Sequence, residues 1–404
     1  MDGSINILKV ISFGVIVAMS GAATAATYNA QGASFPEKAY TGNTNSIFPA
    51  TSPAPTATSL FGQYKTASGH SVTYAGNGSG AGKTAIQNNT SPFAGSDSPL
   101  TQANYTSIIS GAGGTAHIAP IQVPAIIGSI AVVFNNPILP TNTNLTSIQI
   151  AKIFAGEITN WNQVNTSLPS LPIKVITHGA ASGTTFGFVN HLNTVSHVDL
   201  PNNSSGLNNN RFFKVDELFS NSLNGGAPFP AITYYPQSND QAVVNYVNAN
   251  VGAIGYTSTA NALTTSGTKI ASVNGYTPNT PSTTFLTSAS ILTDRVINGN
   301  NSTTGAANVV ALTGIPAGKA GKIKLINPAA YANPTGVYPI LAVSYLLSYT
   351  DNNGTTAVVS GLKGALKAPY DANYQAGLGA GSQGFGFIPA IHVPQFNAVI
   401  NSIN

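Results

Sequence analysis

The 404-residue chain contains no cysteine. That excludes disulfides, thiolate zinc sites and cysteine nucleophiles. It also excludes a bacterial lipoprotein anchor, which needs a cysteine at the cleavage site. Charge is scarce as well. Asp, Glu, Lys and Arg make up 6% of residues, against roughly 25% in an average soluble protein. The polar surface must therefore come from Asn, Thr, Ser and Gln. The net charge of +4 is scattered, without a Lys/Arg run, so nothing reads as a nucleic-acid footprint. So weakly charged a surface suits an extracellular or acidic setting. Long apolar spans are missing too. The longest run near the N-terminus, Val10–Met19, is shorter than the about 20 residues that cross a bilayer. There is no G-x-S-x-G elbow, and the six histidines show no HExxH spacing, so the usual hydrolase signatures are lacking.

What is present points to a folded, exported protein. Apolar residues make up 42% of the chain and cluster in runs, while 41 glycines and 25 prolines imply many turns. Lys9, the apolar core Val10–Met19 and Ala23-Thr24-Ala25 form a signal peptide over residues 1–25 with an A-x-A cleavage site. The mature chain would start near Ala26, in the periplasm or outside the cell, with no stable membrane anchor.

The most informative stretch is Thr177–Leu192. An apolar run, Ile173–Ile176, reads as a buried strand. A small-residue turn follows, and Ser182-Gly183-Thr184-Thr185 opens an apolar helix. Such a junction offers free backbone N–H groups and hydroxyls to one anion, or it is an ordinary serine N-cap. Two other stretches have the same build. Gly32–Glu37 is a turn into a helix, with Ser34 as the expected N-cap. Gly76–Gly82 is a glycine-rich turn before Lys83-Thr84. It misses the nucleotide P-loop by one position, where Asn77 stands for the required glycine, yet Ser79 and the turn amides still suit an anion. Asp97, in Ala94–Leu100, caps the next helix or points into a cleft.

Strands and helices alternate through most of the chain, which predicts an α/β fold. Expected strands include Ser71–Ala75, Ile118–Val123, Ile126–Asn135 (parted by Pro124) and Lys269–Val273. Expected helices include Leu145–Glu157 and Gln241–Asn248. Gly42–Thr58 and Val198–Pro230 read as polar insertions, and Phe285–Gly321 as loop-rich.

Taken in order, these motifs resemble the PstS family of phosphate-binding proteins of ABC importers. Gly32–Pro36 resembles its G-A-[ST]-F-P, and Tyr74–Gly82 its Y-x-G-x-G-S-G-x-G. Ala94–Leu100 resembles G-A-S-D-x-P-L with the first two residues exchanged. Ile121–Gly128, Phe154–Trp161, Ser182–Phe186 and Val251–Tyr256 resemble four further family segments. The match covers Gly32–Tyr256 and fades after Asn274.

The resemblance implies a type II periplasmic binding protein fold: two lobes, each a mixed sheet flanked by helices, with the ligand in the cleft between them. Residues 26–122 and 341–404 would form one lobe and 123–337 the other. It implies that Ser34, the Phe35 amide, Ser79, Ser182, Gly183 and Thr184 meet the phosphate. Asp97 would accept a hydrogen bond from a protonated phosphate oxygen and so reject sulfate. It implies no cofactor, no metal and no catalysis, with ABC permease subunits as partners. One departure concerns the ligand directly. The family's arginine and its paired aspartate fall at His178 and Ala180 here. Imidazole is smaller than guanidinium and charged only below about pH 6.5, so either His178 meets the ligand and phosphate binding depends on pH, or His178 merely packs beside the cleft. Two other roles fit the same resemblance: a DING-like secreted phosphatase, and a surface or matrix protein reusing the fold.

Overall fold

Ten strands form the central sheet. In chain order they are β1 (Thr27–Gly32), β2 (Ser71–Gly76), β3 (Phe93–Ser96), β4 (Pro120–Phe134), β5 (Lys174–His178), β6 (Tyr234–Gln237), β7 (Ala253–Ser258), β8 (Lys269–Ile270), β9 (Leu341–Tyr349) and β10 (Phe385–Phe387). The computed structural model describes residues 25–43, 53–111, 119–198, 207, 211–223, 233–379 and 383–404. The signal-peptide reading, and much of both polar insertions, lie outside these.

The sheet runs β2-β1-β3-β9-β4-β7-β5-β6, with β8 and β10 also paired to β4. The fifteen residues of β4 are all buried, and their near-continuous apolar sequence is what burial on both faces selects. Pro124 does not break it. Pro124 pairs with Tyr345 and Ile126 with Ser344, so Ala125 is bulged out. A bulge is where a sheet tolerates a residue with no N–H to give, and one strand therefore replaces the two that the proline suggested.

β4 changes partner along its length. Residues 120–129 pair antiparallel with β9, and Ile130–Phe134 with β7. β4 and β9 thus close one half-sheet with β1, β2 and β3. The far end of β4 joins the other half-sheet of β5, β6 and β7. This is the two-lobe architecture. At the switch, the Ile130 amide donates to Ile340 O (2.9 Å), and Tyr338 Oη donates to Ile130 O (2.8 Å).

Each half-sheet has parallel strands that feed helices. β1 leads to α1 (Glu37–Thr41), β2 to α2 (Ser79–Gln87), β5 to α3 (Gly183–Asn193) and β6 to α4 (Asp240–Ala249). The N-termini of all four helices therefore lie at the carboxyl ends of parallel strands, where open α/β sheets place ligands.

The loop-rich stretch contains two small antiparallel pairings, Ile291–Thr293 with Lys324–Ile326 and Arg295–Asn300 with Ala307–Ala311. The second leans on both lobes. The Ile297 amide donates to Leu100 O (3.2 Å), and the Val215 amide donates to Gly305 O (2.9 Å). The single tryptophan, Trp161, is fully buried. It packs on Phe134 at 5.7 Å and donates to Gly252 O at 3.1 Å. Among the described residues, no helix is long and apolar enough to cross a membrane.

Candidate functional site

The four helix starts converge. Ser182 is the N-cap of α3, its hydroxyl accepting from the Thr185 amide at 3.3 Å. That leaves the Gly183 and Thr184 ends of the helix facing the other lobe. Gly183 has no room for a side chain: a Cβ there would overlap Asp97 Cβ and lie 2.5 Å from Ser79 Oγ. The glycine is what lets α3 approach. Its amide donates to Ser79 Oγ at 3.1 Å.

Ser79, the first residue of α2, is fully buried and also accepts from the Asp97 amide at 2.9 Å. One hydroxyl oxygen thus holds a turn of one lobe and a helix start of the other. Gly78 before it has φ of 106°, a conformation that glycine alone adopts readily. The Gly80 amide reaches across to Ala181 O at 3.2 Å. The positive ends of α2 and α3 therefore meet, which favours negative charge between them.

Ser34 differs from the sequence expectation. α1 starts after Pro36 without a side-chain cap. The Ser34 hydroxyl instead crosses the cleft and donates to Asp240 Oδ2 at 2.5 Å. The same oxygen accepts from Thr184 Oγ1 at 3.2 Å. Asp240 Oδ1 accepts from the Ser258 amide (2.6 Å) and Thr257 Oγ1 (3.1 Å). Phe35 is buried, with its ring edge-on to Phe385 at 5.8 Å and against Gly128. It anchors the turn that carries Ser34.

Asp97 does not cap a helix; Thr101 caps Gln102–Ile109. The Asp97 side chain is buried, and its Oδ1 has no hydrogen-bond partner. Burial pushes this carboxyl well above the usual range. The Asp240 and Glu217 charges add to that, while the Ser344 and Ser79 hydroxyls oppose it. The Ser344 and Tyr40 hydroxyls around it are also buried without a partner.

His178, at the end of β5, stacks on Tyr256 with ring centroids 5.2 Å apart. Its Nε2 is buried, has no hydrogen bond, and lies 3.9 Å from Asp240 Oδ1. Burial pulls the imidazole below its ordinary value, against the pull of Asp240 and the contact with Tyr256. Neutral imidazole is the outcome that burial favours. The eight expected residues thus fall into two linked groups. Ser79, Asp97, Ser182 and Gly183 surround the α2–α3 contact. Ser34, Thr184 and His178 surround Asp240, and Phe35 packs behind Ser34 against Phe385 and Gly128.

Asp240 is the residue that sequence reasoning passed over; it stands just before the expected helix Gln241–Asn248. Asn239 is the N-cap, its Oδ1 taking the Ala242 amide at 2.9 Å. That frees Asp240 to turn inward. Glu217 was also missed, in the polar insertion. It pairs with Lys83 Nζ at 2.7 Å and with the Ser98 hydroxyl, and its backbone O takes the Ser182 amide at 3.0 Å. In a chain with eleven acidic residues, a lone glutamate in an Asn-rich segment was the available signal. Among the described residues, no group of three His, Asp or Glu side chains is placed to hold a metal ion.

A PBP superfamily domain matches residues 38–368. The chain belongs to the PBP superfamily. It is 30% identical over 280 residues to alkaline phosphatase L of Pseudomonas aeruginosa, covering 67% of this chain and 66% of that one. It is 36% identical over 136 residues to phosphate-binding protein PstS 3 of Mycobacterium leprae, covering 32% and 36%. The alignments thus span two thirds of the relatives or less. A phosphate-binding protein of Stenotrophomonas maltophilia has the same fold, with a TM-score of 0.65 at 23% identity over 94% of this chain and 93% of that one.

Proposed function

We propose that the protein binds inorganic phosphate in the interlobe cleft and serves as the extracytoplasmic receptor of an ABC importer. The observation that carries this reading is the convergence on Ser79: its hydroxyl takes an amide from each lobe, at Asp97 and Gly183. Two helix N-termini, the hydroxyls of Ser34 and Thr184, and the buried carboxyl of Asp97 are then within reach of one small anion. Backbone and hydroxyl donors suit phosphate without a formal counter-charge. An ionised Asp97 would accept a hydrogen bond from a protonated phosphate oxygen and so disfavour fully ionised sulfate, whereas the neutral acid that burial favours would donate one to either anion. His178, in place of an arginine, would contribute charge only when protonated. Relatives named as phosphate-binding proteins support the ligand class, and the permease partner and periplasmic location follow from that reading. The lobes would divide as residues 26–122 with 341–404, and 123–337.

The relatives named alkaline phosphatase L favour a second reading, phosphate-ester hydrolysis in the same cleft. Calorimetric titration with phosphate and with sulfate, at pH 5 and pH 8, tests the first reading. Micromolar or tighter binding of phosphate is expected, with sulfate excluded only where Asp97 is ionised. Failure of a folded sample to bind phosphate at either pH would sink it. Turnover of a chromogenic phosphomonoester by the same sample would move the second reading to the front.

A further inference from the structure

The cleft already contains an anion of its own. Asp240 Oδ2 accepts from Ser34 Oγ of one lobe (2.5 Å) and Thr184 Oγ1 of the other (3.2 Å). These are two of the hydroxyls that an incoming oxyanion needs. Asp240 Oδ1 is held independently by the Ser258 amide and Thr257 Oγ1, so the carboxylate stays in place when Oδ2 loses its donors. Among the described residues, no lysine or arginine contacts this carboxylate. Its one ion-pair partner among the described residues is His178 Nε2, at 3.9 Å.

We propose that Asp240 is a specificity-determining residue of the cleft: its carboxylate competes with the oxyanion for Ser34 and Thr184, so the anion is taken up together with a proton. The proposal rests on the phosphate-binding reading and deepens it. A carboxylate and a phosphate oxygen cannot share these donors while both are ionised in a buried site. A proton placed between them turns the clash into a charge-assisted hydrogen bond. No covalent bond changes. The proton comes from solvent and resides on Asp240 Oδ2, on the facing phosphate oxygen, or on His178 Nε2.

The other ionisable groups around Asp240 do not supply that charge. Tyr256 on β7 is pushed upward by burial and stays neutral. Tyr234 and Tyr235 lie on β6, and Lys174 is at the opposite end of β5 from His178. From the other lobe come Asp97, whose burial favours the neutral acid, and Glu37, three residues beyond Ser34.

Calorimetry of the mature chain with inorganic phosphate, in two buffers of different ionisation heat, reads the proton directly. At pH 8, the unmodified protein is expected to take up about one proton per phosphate bound. Asp240→Asn keeps the shape and the Ser258 contact. It is expected to bind phosphate at least about tenfold tighter at pH 8 and to take up about one proton fewer. Equal or weaker binding by Asp240→Asn, with unchanged proton uptake, would overturn the proposal. Should that variant not fold, the unmodified protein still decides, since phosphate binding at pH 8 without proton uptake also overturns it. That last outcome leaves the phosphate reading standing. Absence of binding by both folded proteins at pH 5.5 removes that reading and this proposal together.

Discussion

Lys83 and Glu217 meet at 2.7 Å, one from helix α2 and the other from the polar insertion after α3. Glu217 also takes the Ser98 hydroxyl, and its backbone carbonyl takes the Ser182 amide. Glu217 thus links the lobes at two points, Lys83 and Ser98, while the Ser182 amide fixes it within its own lobe. Lys83 is the buried member, and Glu217 retains some solvent, so the pair is worth more than a surface bridge and less than a fully buried one.

Glu217→Gln should loosen closure more than it loosens the fold. The expected cost is about 1 kcal/mol in chemical denaturation. A severalfold faster release of phosphate in stopped-flow mixing should accompany it. Release from the unmodified protein should also speed up with added salt, and release from the variant should not. Identical salt dependence of the two would show that the pair does not latch the lobes.

Gly183→Ala tests the close approach of α3 to α2. The added methyl would overlap Asp97 Cβ and Ser79 Oγ, so the lobes could close only by separating these helix starts. Phosphate affinity should fall by at least about tenfold. Thermal stability should change far less than affinity, because the clash arises only on closure. Calorimetry and a melting curve on the same sample separate the two effects.

Ser79→Ala removes the acceptor for two amides at once, those of Asp97 and Gly183. The bond lost by the Gly183 amide weakens closure, while the Asp97 amide loses a neutral hydrogen bond buried within its own lobe, so a stability cost of about 1–2 kcal/mol is expected. Urea denaturation followed by the fluorescence of Trp161, the single tryptophan, measures it. Ser79→Thr, which keeps the oxygen, should recover part of the loss.

His191 makes stability depend on pH. It is buried, with Nδ1 facing Ala332 O and Nε2 facing Ser147 Oγ, each at 2.9 Å. Burial lowers it to about 4, with the Ala332 contact acting the other way. The unfolded chain, near 6.5, takes up this proton first. The stabilisation is thus fully present above about pH 6.5 and is lost as pH falls to about 4, with an amplitude on the order of 3 kcal/mol. Denaturation midpoints at pH 7, 5.5 and 4.5 should decline in that order. His191→Gln should flatten the decline, and an unchanged slope in that variant would count against this origin.

Much of the architecture could be read along the chain, because it is written in short local patterns. Apolar runs ending in small-residue turns marked β2 with α2, and β5 with α3, and the N-cap at Ser182 stands where the sequence put it. The alternation of strands and helices was enough for α/β. Pro124 misled because a proline's missing N–H matters only where the neighbouring strand needs it, and the bulge at Ala125 depends on β9, more than two hundred residues away. Ser34 misled for a similar reason: its hydroxyl had a stronger partner across the cleft than the local helix end could offer.

The sequence by itself determined the classes of chemistry: no thiol, little charge, three serine-bearing helix starts and one candidate acid, Asp97. These follow from residue type and spacing within a few positions. Only the tertiary structure decided which groups face one another. It brought Ser34, Asp240 and the His178–Thr184 stretch together from three separate segments, and placed Glu217 on Lys83 and Ser98. Hydrogen bonds and charge interactions act over a few ångströms in space, whatever the distance along the chain. No local pattern could therefore have shown that the helix start at Asp240 turns its carboxylate into the cleft.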